Sequence, residues 1–177
     1  MQKLKRLLEC LTVWNVPPTS LSGVEAILAQ AASENKYGDP SSVNEFNALL
    51  VRSLYRQFGV PVIVQGELKQ HLQGIPIAAA SLRLREAPHY LSTRDIALWQ
   101  KAACDRLGVR RVVFISYYPH YWRAVKALEK TGLTVLTPPG LAEIYDENNN
   151  MWWVRNKFVN RPYELLARLY FFLKGWI

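Results

Sequence analysis

Four short apolar runs set the strongest limit on what this chain can fold into. They are VEAILAQA (24–31), VPVIVQG (60–66), RRVVFIS (110–116) and LTVLT (133–137). The VPVIVQG run is continuous and β-branched, which fits a strand covered on both faces. A helical pattern separates each run from the next. In VNEFNALLVRSLYRQFG, Val43, Phe46, Leu50, Leu54 and Phe58 keep to one broad face and Gly59 supplies the stop. In STRDIALWQKAACDRLG, Ser92 or Thr93 serves as N-cap, Asp95 falls in the first turn and Gly108 ends the helix. PHYWRAVKALEKTG carries Pro119 in its first turn and Gly132 beyond its last. This alternation predicts an α/β fold: a three-layer, Rossmann-like sandwich, with a mainly parallel sheet of about four to five strands and helices on both faces.

The remaining segments are arranged around that pattern. Leu4, Leu7, Leu8 and Leu11 recur at helical spacing with Lys3, Lys5 and Arg6 between them, and VPPTS stops the helix. Residues 1–23 therefore read as an amphipathic helix and linker ahead of a single domain, 24–177. Residues 67–92 have no clean period and read as a crossing loop with a partial helix. PPGLAEIYDENNN reads as a loop. RPYELLARLYFFLKGW reads as a closing helix with Leu165, Leu169 and Phe172 as its core stripe and its charges in water.

Half of the 177 residues are apolar and 20% are charged, enough for a core and too few charges for global disorder. The net charge of +8 admits an acidic partner of some kind. Cys10 and Cys104 form no C-x-x-C and are expected to be reduced, as in the cytoplasm. No apolar run approaches the roughly 18 to 20 residues of a membrane span, and Glu9 interrupts the N-terminal stretch, so no signal peptide is expected.

In open α/β sheets ligands bind beyond the carboxyl ends of the strands. The residues at those ends are Ser33 and Glu34, then Gln65, Gly66 and Glu67, then Ser116 to His120, then Thr137. His120 falls in the first turn of a helix, where unpaired N–H groups favour anions, and Arg123 follows three residues on along the same face. A fixed cation beside a titratable imidazole suits a phosphate or carboxylate. In this arrangement Arg123 holds the anion, Ser116 orients the ligand, and His120 acts as acid, base or phosphate donor. Glu67 takes a proton or a ribose hydroxyl. The plainer alternative has His120 bonded to a loop carbonyl and Arg123 in water. His71 and His89 read as structural or exposed. No ligand spacing supports a metal site, and neither G-x-G-x-x-G, a P-loop nor G-x-S-x-G occurs.

Three stretches resemble the YdcF/SanA/ElyC family of bacterial domains. VVFISYYPHYWRAVKALEKTGLTV is similar to the family's strand, hydroxylated residue, histidine and R-A helix opening, with Ser116, His120, Arg123 and Ala124 at those places. YLSTRDIALWQKAACDRLGVRRV is similar to its helix after a threonine-containing turn, with Thr93 at the threonine. ELLARLYFFLKGWI is similar to its closing E-x-x-x-R-L-Y-x-x-L-x-G-W element. The resemblance implies a Rossmann-like sheet with a polar pocket at its carboxyl edge, and a link to envelope or lipid-carrier metabolism or to S-adenosylmethionine binding. The chain departs from the family's glycine-rich turns, reading AQAAS after the first strand and QGEL, with Gln65 and Gly66, after the second.

The expected partner is a phosphorylated or nucleotide-like small molecule, and the expected reaction, if there is one, is transfer or hydrolysis at phosphate. No cofactor is indicated by the residues. The last 27 residues mix Arg155, Lys157, Arg161, Arg168 and Lys174 with many aromatics, a composition that also suits peripheral contact with an anionic membrane. An inactive family member working through that surface is the alternative reading. Nucleic-acid binding has only charge in its favour.

Overall fold

The computed structural model describes residues 2–32, 34, 41–81 and 91–177. The chain runs α1 (Gln2–Thr12), β1 (Ala26–Ala29), α2 (Ser42–Phe58), β2 (Val62–Val64), β3 (Ile77–Ala80), α3 (Thr93–Leu107), β4 (Arg111–Ile115), α4 (Tyr121–Glu129), β5 (Thr134–Leu136) and α5 (Lys157–Leu173). The five strands form one parallel sheet in the order β3-β2-β1-β4-β5. β1, β2 and β4 are almost wholly buried, as their unbroken apolar composition requires.

Side chains alternate between the two faces of the sheet. Ile27, Val62, Val64, Val113 and Ile115 pack against Ala48, Val51 and Leu54 of α2. Leu28, Ile63, Val112 and Phe114 pack against α3 and α4 through Ala103, Cys104, Tyr121, Ala124 and Leu128. The result is the expected α/β sandwich of three layers. Ser41 caps α2, and Ser92 and Asp95 form a reciprocal capping box on α3. Gly59 and Gly108 end these two helices at φ 63° and 69°, a left-handed backbone that a side chain would strain.

Two segments depart from their sequence reading. The partial helix expected in 67–92 is a 3-10 turn, Gly66–His71, but the segment also contains the edge strand β3. Its sequence, IAAA, carries little β-propensity and only its alternate residues are partly buried, so periodicity and composition both missed it. The closing helix begins earlier than Arg161: Asn156 caps it by accepting from the N–H groups of Phe158 and Val159, and Pro162 lies inside it. Its buried face is not Leu165, Leu169 and Phe172 but Asn160, Glu164, Arg168 and Phe171. α1 packs against α5, and the linker after it is tied to β5 by two hydrogen bonds between Thr19 and the Thr137 backbone.

Candidate functional site

From β1 the chain proceeds outward to β2 and β3, then returns through α3 to β4 on the other side of β1. The order therefore reverses between β1 and β4, and the carboxyl ends of these two strands diverge into a crevice. A cleft of about 50 Å³ occupies that position. Gln30 and Ala31 line it from β1, Gln65 from β2, Thr93 from the start of α3, and His120 and Arg123 from the turn into α4. Trp153 and Tyr163, stacked at 4.6 Å, close it from the C-terminal side.

Four residues expected at the site from sequence thus meet in one cleft: Gln65, Thr93, His120 and Arg123. Ser116 stands directly behind them. Its hydroxyl lies 2.8 Å from His120 Nε2, so His120 is held by a side chain rather than by a loop carbonyl. Ser116 is itself buried and does not line the cleft, so it supports the imidazole rather than orienting a ligand. The backbone of His120 sits in the bridge region (φ −102°, ψ 5°), where a 3-10 turn, Tyr118–His120, hands over to α4. Burial and, after it, the positive charges of Arg123 and Arg168 push the imidazole down to about 3. At neutral pH His120 is therefore uncharged, with one ring nitrogen donating and the other accepting.

Arg123 is not the solvated cation of the plainer alternative. It is 5% exposed and bound to Glu164 by a fork, with Nε 3.1 Å from both carboxylate oxygens and a terminal nitrogen 2.8 Å from Oε2. Its other terminal nitrogen donates to Thr93 Oγ1 at 2.6 Å, and its guanidinium lies 4.9 Å over the Phe171 ring. Glu164 also accepts from Arg168 at 2.9 Å. Arg168 was expected in water yet is fully buried, stacked on Trp14 and Trp122 and bonded to the Val13 carbonyl. Two guanidiniums share one carboxylate, so the three groups together carry a net positive charge beside the cleft.

Glu67 and Gly66 do not join the cleft. Glu67 is 1% exposed and lies in the 3-10 turn after β2, while the Gly66 N–H donates to Ser81 Oγ at 3.2 Å. The turn took Glu67 into the protein, because the chain after Gly66 coils back on α2 instead of continuing outward. The expectations for Ser33 and His89 lie outside the described residues.

Amide side chains, all but Gln65 passed over in the sequence, hold the turn after β1. Gln65 Oε1 accepts from the Ala31 N–H at 3.1 Å and Asn44 Oδ1 from the Ala32 N–H at 2.8 Å. Gln30 donates to Gln100 at 2.9 Å, Asn47 donates to the Gln30 carbonyl, and Asn149 donates to the Ala32 carbonyl. Gln65 and Asn44 thus satisfy the backbone N–H groups of Ala31 and Ala32 at this turn. Among the missed residues one pair carried a usable signal. Glu164 and Arg168 stand four apart in ELLAR, the spacing of a helical ion pair.

Beyond Thr93, Arg123 and Tyr163, which form a common wall, lies a wider groove of about 600 Å³ lined by Leu166, Tyr170 and Trp176. Among the described residues no cluster of three or more histidines, cysteines or carboxylates could hold a metal. No protein-family model, no curated protein and no solved structure matches this chain.

Proposed function

We propose that the protein binds an anionic small molecule, phosphorylated or nucleotide-like, in the crevice between β1 and β4, in the manner that the YdcF-like motifs imply. The observation that carries this reading is the convergence, at the point where the strand order reverses, of Gln65, Thr93 and His120 on a cleft backed by a net-positive arginine–glutamate cluster. About 50 Å³ suits the charged group alone, so the rest of the ligand extends over the wall formed by Thr93 and Tyr163 into the wider groove.

The imidazole has a defined part in this scheme. An anion arriving beside His120 opposes the field of Arg123 and Arg168 and draws its pKa upward. Burial, the larger cause of the shift, still holds His120 uncharged at neutral pH, so its part there is to hydrogen-bond the ligand through a ring nitrogen. The proposed location is the cytoplasm, a compartment that keeps thiols such as Cys10 and Cys104 reduced.

The test is thermal unfolding in the presence of nucleotides, S-adenosylmethionine and polyprenyl phosphate analogues, on the wild type and on His120→Ala. A ligand at about 100 times its dissociation constant adds roughly 2.7 kcal/mol. The expected result is a shift in wild type that shrinks in the variant. No shift with any of these compounds in a folded protein would overturn the reading.

A further inference from the structure

α5 is turned inside out relative to its composition. Its inward face carries Glu164 and Arg168, while Leu166, Leu169 and Leu173 face outward, at 68%, 36% and 74% exposure. These leucines recur at intervals of three and four, so they form one stripe along the helix. α1 extends the stripe sideways. Arg168 donates to the carbonyls of Cys10 and Val13, and Arg6 shares a surface pocket with Phe172, so α1 runs back alongside the C-terminal half of α5. Leu4 and Leu8 of α1 are also exposed, at 62% and 54%.

Cations border this apolar surface. Lys5 and Arg6 are exposed on α1, Lys174 lies 5.8 Å over the Tyr170 ring, and Arg94 lies 4.9 Å over the Trp176 ring. Tyr170 and Trp176 are amphipathic rings of the kind that settle at a headgroup boundary. The chain as a whole is positive by 8. Among the described residues no helix is long and apolar enough to cross a membrane, so the leucines have depth for a surface contact only.

We infer that the α1–α5 face seats the protein on a bilayer surface containing anionic lipid: its leucines enter the acyl boundary while Lys5, Arg6, Arg94 and Lys174 meet the headgroups. A protein partner or a second copy of the chain would bury the same leucines, but the basic border favours a negatively charged surface. This surface shares Leu166, Tyr170 and Trp176 with the wider groove but none of the residues that line the β1–β4 cleft, and the inference stands whether or not a ligand binds in that cleft.

Flotation with phosphatidylcholine vesicles, with and without phosphatidylglycerol, tests it on the full chain. The protein should float with the anionic vesicles only, and less as salt rises, because the screening length shortens from about 10 Å at 0.1 M to about 3 Å at 1 M. Leu8→Asp with Leu173→Asp should lower binding roughly tenfold or more, and Lys5→Gln with Lys174→Gln should remove the lipid preference. Neither pair should move the melting temperature, since all four side chains are exposed. Equal binding to both vesicle types, or full binding by the aspartate variant, overturns the inference. So does a dimer in sedimentation velocity that the aspartates dissolve, or a loss of thermal stability, because either shows the leucines to be covered without lipid.

Discussion

Replacing Glu164 with glutamine keeps the shape of the side chain and removes its charge from between two buried guanidiniums. In the native protein one carboxylate accepts from Arg123 through three contacts of 2.8 to 3.1 Å and from Arg168 through one of 2.9 Å. In Glu164→Gln one of those oxygens becomes an NH₂ that faces N–H donors, and both arginines lose their shared counter-charge. Breaking a buried pair in this way costs about 3–5 kcal/mol. At about 2–4 °C per kcal/mol for a chain of this size, the melting temperature should fall by roughly 6 to 20 °C. Circular dichroism melts and urea titrations of the two proteins measure it. Replacing the whole cluster, Arg123→Met with Glu164→Leu and Arg168→Met, should recover much of the loss, because the desolvation cost then disappears with the charges. A loss below about 1 kcal/mol in Glu164→Gln would mean that water reaches the pair, and the field ascribed to it at His120 would have to be abandoned.

The depressed pKa of His120 makes stability fall with acid: the unfolded chain takes a proton near pH 6.5 while the folded one refuses it until about 3. The lost stability should reach about 2 kcal/mol at pH 5 relative to pH 7. Urea melts at both pH values should show this component in wild type and not in His120→Gln, and an identical pH dependence of the two would refute it. Gln100→Leu strands the Gln30 amide and should cost about 1–3 kcal/mol in the same melts, whereas a neutral result would mean that Gln30 finds another partner. Burial pushes the Cys104 thiol up to about 11, so iodoacetamide should label it far more slowly in the folded protein than in urea, as read by mass spectrometry.

Much of the site was legible because it lies where local signals are dense. Ser116, His120 and Arg123 occupy one strand-to-helix junction, and a junction of that type in a parallel sheet points to the ligand edge without further information. Thr93 was named only through the resemblance, as the threonine of its helix-opening turn; it opens α3 beside a capping serine. Glu67 was misjudged because a residue just past a strand can go either way. Whether it lines the crevice or turns inward depends on how the next few residues coil, and GELKQH forms a 3-10 turn against α2 that its composition does not announce. The amides of Asn44, Asn47 and Gln100 lie inside helices, where a polar residue facing inward has the same local pattern as one facing water.

By itself the sequence determined the layers. Unbroken apolar runs must be covered on both sides, and the helices between them must run back across the sheet, so a parallel α/β sandwich follows from hydrophobic period and chain reach. Tertiary structure alone decided what Arg123 does and which way α5 faces. Arg123 and Glu164 are 41 residues apart, and no local period records their meeting. Once Glu164 and Arg168 are drawn inward to each other and to Arg123, the rotation of α5 is set. Its leucines then face outward, against the preference that their own spacing expresses, because turning α5 to bury them would pull Glu164 away from Arg123, and breaking a buried pair is costly.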